Sequence, residues 1–381
     1  MKPTVLIYRS DLLPGSETFV AAQAHALRRF APCFAGLRRV RAGLRLDAEE
    51  TVVLTSRDRL SDKFRRRLFL ATGTAPRFLR ALERRRAILL HAHFAVDAAA
   101  ALPIQKELGI PLIVTLHGYD ATMTDAALRS TAAGRVFLRR RAELRERTRI
   151  FVCVSEHIRR QALKSDVPEE KVRTLPIGVD LSFFVPDPLR SRSLDPIVLF
   201  VGRLVEKKGC THLIRAMVQV EARHPAARLL IVGDGALLDP LREQARAALR
   251  NCTFLGIQPA SVVRDLMYRA SVLAAPSIVA GSGDTEGLPI TLCEAQAIGL
   301  PIAAFRGPGV AEAVVENETA LLAASGDEVS LAQDICGLLE NPELAARLAT
   351  AGRKRAEGHF SLADQTARLE DVYAEALDAE R

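Results

Sequence analysis

A chain of 381 residues is too long for one ordinary hydrophobic core, so two domains are the default. With 49% hydrophobic and 26% charged residues it is globular in composition rather than disordered, and no apolar run reaches the length needed to span a bilayer. The net charge of +8 is unevenly placed: residues 1–150 hold 28 Lys and Arg against 14 Asp and Glu, a net of +14, and the remainder holds 25 against 31, a net of −6. A basic half suggests a polyanion or an anionic membrane as partner; arginine-rich composition without a partner is the plain alternative. Six scattered cysteines (33, 153, 210, 252, 293, 336) include no CxxC pair, which favours reduced thiols in the cytosol over zinc or disulfides.

In chain order, PTVLIY (3–8) is too short for a signal peptide and reads as a buried first strand. The loop SDLLPGSETFV contains Pro14 and Gly15 and opens a helix reaching about Phe30, with Ser16 as candidate N-cap and Glu17 in the first turn. Strands are expected near 32–37 and 51–55. Residues 61–86 place Phe64, Leu68, Phe69, Phe78, Leu79 and Leu82 among many arginines, with a break near Gly73–Pro76. They read as two basic amphipathic helices. AILLHAHF (87–94), PLIVTLHGYD (111–120) and RIFVCVS (149–155) are strands with polar tips, separated by helices at about 95–108 and in the Arg-rich stretch before 149. FFVPDPLRSRSLDP (183–196) is the best linker.

A second alternation follows: a strand and loop at 196–209 and strands at 228–235, 252–255 and 272–277, with helices between them and more α/β units to about 340. Alternation of this kind implies an α/β fold of two Rossmann-like, doubly wound domains facing across a cleft, with the ligand at the carboxyl ends of the strands. The boundaries expected are 1–186 and 187–358, with a terminal helix, 359–381, packing back on the first domain.

GSGDTEGLPITLCEAQAIGLPIAAF (281–305) is the most informative stretch. Gly287 permits close approach of the backbone to a ligand, Pro289 suits a first helical turn, and Gly299 stops the helix. Glu286 precedes that helix and Glu294 lies within it, roughly 12 Å further along the axis. Carboxylates sharing one glycosidic bond lie about 5–9.5 Å apart, so these two grip different ends of a long ligand. A phosphate would suit the exposed N–H groups between them. The plain alternative is a surface loop and helix with two solvated carboxylates. GRLVEKKG (202–209) puts Arg203 and Lys208 on one short loop after a strand, two cations suited to a diphosphate. No GxxxxGK[ST] occurs, and VGDGAL (232–237) lacks the third glycine of a dinucleotide fingerprint.

GRLVEKKG, VGDG, FLG (254–256) and EGLPITLCEA, in this order, resemble the C-terminal half of family-4 glycosyltransferases, retaining enzymes of the GT-B fold. Glu286 and Glu294 match that family's E-x7-E element. SETFV, HAHF and TLHGYD resemble more narrowly the branch that builds colanic-acid and amylovoran-type exopolysaccharides. The family's Gly-Gly loop after the first strand reads PGSET here, leaving donor contact there to Gly15 and Ser16.

The resemblance implies that Arg203 and Lys208 hold the donor diphosphate, that Glu294 accepts from ribose hydroxyls and that Glu286 touches the donor sugar. Gly202, Gly233, Gly235, Gly287, Leu288 and Ile290 would line the donor, and His117 would sit at the reacting centre. His91 and His93 share one strand face but show no third ligand, so they read as polar lining rather than a metal site. The implied activity is transfer of a sugar from a nucleotide-diphosphate sugar to a glycan or polyprenyl-linked acceptor in cell-surface or exopolysaccharide synthesis, with no metal and no cofactor. Two rivals share these observations. One is a nucleotide-sugar 2-epimerase on the same fold. The other is a non-catalytic polyanion-binding protein; its arginines, however, are not interleaved with aromatics, and nucleic acid is not an expected partner. The expected location is the cytoplasm, peripheral on the inner face of the cell membrane.

Overall fold

The computed structural model describes residues 2–378 except positions 16, 41, 42, 45, 48, 49, 58, 188–192 and 194. Two compact units emerge: Met1–Gly178 together with Leu362–Arg381, and Val179–Ser361.

The first unit is built on β1 (Thr4–Tyr8), β2 (Asp11–Leu12), β3 (Ala31–Arg39), β4 (Thr51–Thr55), β5 (Ala87–His93), β6 (Leu112–Leu116), β7 (Thr148–Cys153) and β8 (Val172–Thr174). All pair in parallel, in the order β2-β3-β1-β5-β6-β7-β8, with β4 also on β3. Covered faces explain why β1 and β6 read as unbroken apolar runs rather than alternating ones. The terminal helix Leu362–Asp378 belongs to this unit. Its Leu369, Tyr373 and Ala376 join the core with Val5, Ile7 and Phe34, and Glu370 Oε1 accepts from the backbone N–H groups of Arg28 and Arg29 at 2.8 and 2.6 Å.

The second unit carries β9 (Ile197–Val201), β10 (Arg228–Val232), β11 (Cys252–Gly256), β12 (Val272–Ala275), β13 (Ile302–Phe305) and β14 (Leu321–Ala323). Their order is β11-β10-β9-β12-β13-β14, so the sheet is doubly wound and reverses direction between β9 and β12. The first sheet reverses in the same way between β1 and β5.

Three local expectations change. The first helix is Thr18–His25 and stops short of Phe30, which packs edge-on against Tyr373 instead. Pro289 caps the helix Ile290–Ile298 from outside rather than entering its first turn. The basic stretch does form two helices, Leu60–Thr72 and Pro76–Glu83, but Phe69 and Phe78 are core residues in mutual edge-to-face contact, and of the three phenylalanines Phe64 alone faces outward. The i, i+4 spacing could not tell which apolar stripe meets the core, because this helix carries two.

Candidate functional site

In the second unit the polar side chains gather at the reversal between β9 and β12. The carboxyl ends of such a strand pair are where open parallel sheets take ligands. The β9 loop runs through the turn Glu206–Lys208 to Gly209, whose φ of +64° is left-handed; a Cβ there would stand 1.8 Å from the Pro276 carbonyl oxygen. Glycine therefore lets the β9 loop press on the β12 loop. Lys207 fastens the two together. Its buried Nζ donates to Asp284 Oδ1 at 2.8 Å and to the Thr285 carbonyl at 3.2 Å, and its own carbonyl accepts from Ile278 N at 2.8 Å.

Lys208, one residue on, places Nζ 2.6 Å from Glu286 Oε1, which also accepts from Ser277 Oγ at 2.9 Å. Burial by itself would raise the Glu286 carboxyl, but Lys208, Lys207 and the Ser277 hydroxyl together outweigh it and bring its pKa to about 2. Glu286 is an anion at any working pH and cannot serve as a proton donor. The Arg203 guanidinium is exposed and has no partner among the described residues. Glu294 is half-buried in the helix Ile290–Ile298. Its carboxyl also lacks a partner among the described residues, and burial raises its pKa to about 8.

The remaining donor-side residues lie around this centre. Gly202 N donates to the Val232 carbonyl at 3.0 Å, holding the β9 and β10 loops together. Gly233 has φ +137°, and a Cβ there would stand 1.9 Å from the Gly202 carbonyl oxygen; one at Gly235 would stand 2.4 Å from that of Leu204. Close loop packing is thus reason enough for both glycines. Gly287 and Leu288 are buried, and Ile290 begins the helix whose first N–H groups lack intrahelical acceptors.

In the first unit the reversal between β1 and β5 is occupied by an ion network that sequence reasoning missed. Arg9 Nε donates to Glu17 Oε2 at 2.8 Å, its Nη1 pairs with Asp97, and its guanidinium lies 4.2 Å from the Phe94 ring centroid. All three charged residues are buried. Glu17 belongs to the quoted SETFV, but nothing in the sequence pairs it with Arg9 or Asp97. Beside the network, His93 Nδ1 lies 2.9 Å from His117 Nε2, while His91 is held by Tyr373 Oη and Thr115 Oγ1, each at 2.7 Å. Burial holds all three histidines well below their ordinary pKa, His91 to about 3, so they are neutral and each contact shares one proton.

His117 Nδ1 is buried without a partner among the described residues. Asp120 fixes this corner by accepting from the N–H groups of Ala95, His117 and Gly118 at 2.8, 3.1 and 3.0 Å. Gly15 lies in the turn before the first helix, and Ser16 lies outside the described residues. Among the described residues no group of three His, Cys, Asp or Glu side chains is placed to hold a metal ion.

Residues 15–183 match the family model described as Glycosyltransferase Family 4, and residues 185–355 match Glycosyl transferases group 1. The chain is 29% identical over 300 residues to the GDP-mannose-dependent alpha-(1-6)-phosphatidylinositol monomannoside mannosyltransferase of Mycolicibacterium smegmatis, covering 75% of this chain and 76% of that protein. It is 30% identical over 197 residues to the amylovoran biosynthesis glycosyltransferase AmsK of Erwinia amylovora, covering 51% of this chain and 48% of AmsK. Among solved structures, Anabaena Alr3699/HepE in complex with UDP and glucose superposes with a TM-score of 0.76 at 16% identity, over 97% of this chain and 99% of that one, a likeness of fold.

Proposed function

Since the chain belongs to the family-4 glycosyltransferases of the GT-B fold, we propose that it moves a sugar from a nucleotide-diphosphate donor to a glycan or lipid-linked acceptor, retaining the anomeric configuration. The setting is synthesis of cell-surface or exopolysaccharide glycans, in keeping with the named roles of its relatives. One observation carries the donor site. At the reversal of the second sheet, a cation (Arg203) and an acid (Glu294) both lack partners among the described residues, beside a Lys208–Glu286 pair that is already complete.

A nucleoside diphosphate supplies what is missing. Its phosphates neutralise Arg203 and draw on Lys208, and its ribose hydroxyls donate to Glu294. Glu286, fixed as an anion, accepts from donor-sugar hydroxyls. Arg203 and Lys208 stabilise the charge of the leaving diphosphate, so the scheme needs no metal ion. In the first unit, His117 offers substrate its unengaged Nδ1, and His93 fixes which way the ring faces.

We place the acceptor at a membrane surface. Leu60, Phe64 and Leu68 are 84%, 66% and 42% exposed, recur at i, i+4 and i+8 on one helix face, and have Lys63, Arg65, Arg66 and Arg67 beside them. Among the described residues no helix is long and apolar enough to cross a membrane.

The test is incubation of the purified protein with GDP-mannose, UDP-glucose and related donors plus envelope lipid extract, with and without EDTA. Products are read by mass spectrometry and anomers by NMR. Release of nucleoside diphosphate with a retained anomer is expected in both conditions. An inverted product would remove the retaining mechanism, loss of activity in EDTA would remove the metal-free one, and an epimerised donor would favour the 2-epimerase.

A further inference from the structure

The reaction scheme above uses His93 and His117 but leaves His91 and its partner on the terminal helix without a task. Tyr373 lies on the face of Leu362–Asp378 that meets the core, with Leu369 and Ala376, and its side chain is fully buried. Its ring packs edge-on against Phe30 at 5.4 Å and against His91 at 5.5 Å, centroid to centroid. By shape alone a phenylalanine would fill the same place. The hydroxyl therefore needs its own reason, and His91 Nδ1, 2.7 Å away, is its one partner among the described residues.

The proton positions follow from donor strength. Burial pushes the Tyr373 phenol up, so it keeps its hydrogen, and the neutral His91 ring carries one N–H. His91 Nε2 faces Thr115 Oγ1 at 2.7 Å. Either tautomer leaves one of the two hydroxyl hydrogens unused by the ring. A phenol is the stronger acid, so its hydrogen is the costlier one to leave unused. Tyr373 Oη thus donates to Nδ1, and His91 Nε2–H donates to Thr115 Oγ1. One hydroxyl from the terminal helix and one from β6 pin the imidazole at both nitrogens, which fixes its plane and its tautomer.

That plane supports a stack. The His93 ring lies 4.3 Å from His91, tilted by 34°, and 5.2 Å from His117 at 24°. Its Nδ1 is committed to His117 Nε2, and the ring makes no other hydrogen bond among the described residues, so it leans on His91 for its orientation. We propose that Tyr373 and His91 are positioning residues for the reacting centre: the Tyr373 hydroxyl fixes the His91 ring, His91 backs His93, and His93 presents His117. The proposal rests on the reading of His117 as the side chain that meets substrate.

Nitrogen NMR of the full chain carrying isotope-labelled histidine tests it. In the wild type, His91 should be a single Nε2–H tautomer; an Nδ1–H form would overturn the proposal whether or not any variant folds. Tyr373→Phe removes one oxygen and keeps the ring, so circular dichroism should be unchanged while the ring-nitrogen signals of His91, His93 and His117 all move. Phe30→Leu loosens the packing of Tyr373 without touching its hydroxyl and should leave the His93 and His117 signals in place. His117 signals that stay put in Tyr373→Phe, or move equally in Phe30→Leu, would overturn the proposal. Thr115→Val unpins the same ring from its other side and is expected to move the same signals, which repeats the test should Tyr373→Phe fail to fold.

Turnover supplies a second readout, with GDP-mannose and UDP-glucose supplied in turn alongside envelope lipid extract. Tyr373→Phe should lower kcat about tenfold and leave the donor KM within about twofold, since the hydroxyl acts on the placement of a ring rather than on donor contacts. A raised KM at unchanged kcat would count against it. His117→Ala separates this proposal from the reading beneath it. Wild-type turnover in His117→Ala would strike His117 as the side chain that meets substrate, while the NMR signals would still decide whether Tyr373 sets the stack.

Discussion

The two sheets reverse direction at equivalent places, and both gather charge there, but they treat it differently. In the first unit Arg9 is buried against Glu17, Asp97 and the Phe94 ring, a network in which each charged group has a partner. In the second unit Lys207–Asp284 and Lys208–Glu286 are likewise complete, yet Arg203 and Glu294 stand without partners among the described residues. A satisfied buried network holds a shape; a partly satisfied one leaves valences for a ligand. Topology alone places ligands at both reversals. The state of the side chains distinguishes the closed Arg9 network of the first unit from the open valences of Arg203 and Glu294 in the second.

The strongest way to break that contrast is at Arg9. Arg9→Met should strand two buried carboxylates and cost about 3–5 kcal/mol of stability, read by urea unfolding. A loss under 1 kcal/mol would mean that the network is not structural, and the contrast would fail on its first side. Arg203→Ala probes the other side. An exposed side chain without a partner should leave the urea midpoint unchanged while turnover falls by about 2–4 kcal/mol of transition-state stabilisation. Lys208→Ala should lower turnover by a similar amount but also weaken the fold, because it unpairs the buried Glu286. Equal stability effects at 203 and 208 would erase the distinction between free and engaged cations.

This difference in satisfaction marks where the sequence was legible and where it was not. Alternating apolar strands and helices reveal both α/β units, because buried parallel strands and their helices carry continuous local signals. Arg203, Lys208, Glu286 and Glu294 are readable because each sits on a short local motif. The pairing of Lys208 with Glu286 is not, since 77 intervening residues fold back to bring the β9 and β12 loops together. The same holds for Arg9 with Asp97 and for His91 with Tyr373, contacts across most of a unit. Of the two adjacent lysines, the one that rivets the loops (Lys207) could not be told from the one at the site by residue type.

A smaller effect sharpens the second side of the comparison by pH. Because burial raises Glu294 to about 8 against an ordinary 4.5, the folded protein keeps this proton where the unfolded chain has lost it. Its stability contribution is therefore fully present below 4.5 and is lost as pH rises towards 8. Ribose hydroxyls prefer the carboxylate, so nucleotide binding expels the proton and affinity should rise about tenfold between pH 7 and 9. Glu294→Gln should bind more weakly and show no such rise. A parallel pH slope in the variant would move the titrating group elsewhere. If Glu286→Gln rather than Glu294→Gln loses nucleotide affinity, the donor lies in the opposite orientation.

The smallest expected effect compares the outer faces of the two units. The second unit exposes Val218, Ile257, Val262, Val279 and Val329 on separate elements, whereas the first lines up Leu60, Phe64 and Leu68 on one helix among arginines. Near an anionic surface each Arg contributes about 1 kcal/mol, fading within a Debye length, and an inserted aromatic adds an apolar term. In sedimentation with phosphatidylserine-containing vesicles, Phe64→Ser should therefore weaken binding only about fivefold. Phe69 and Phe78, buried in the unit's core, cannot take part, so their variants report on folding alone. High salt, or Arg65, Arg66 and Arg67 changed together to Glu, should remove the electrostatic share. Ile257→Ser in the second unit should change nothing. Equal losses at Phe64 and Ile257 would show that exposure alone drives the binding, and a wild type that stays in the supernatant at low salt would end the case for membrane docking and favour a soluble acceptor.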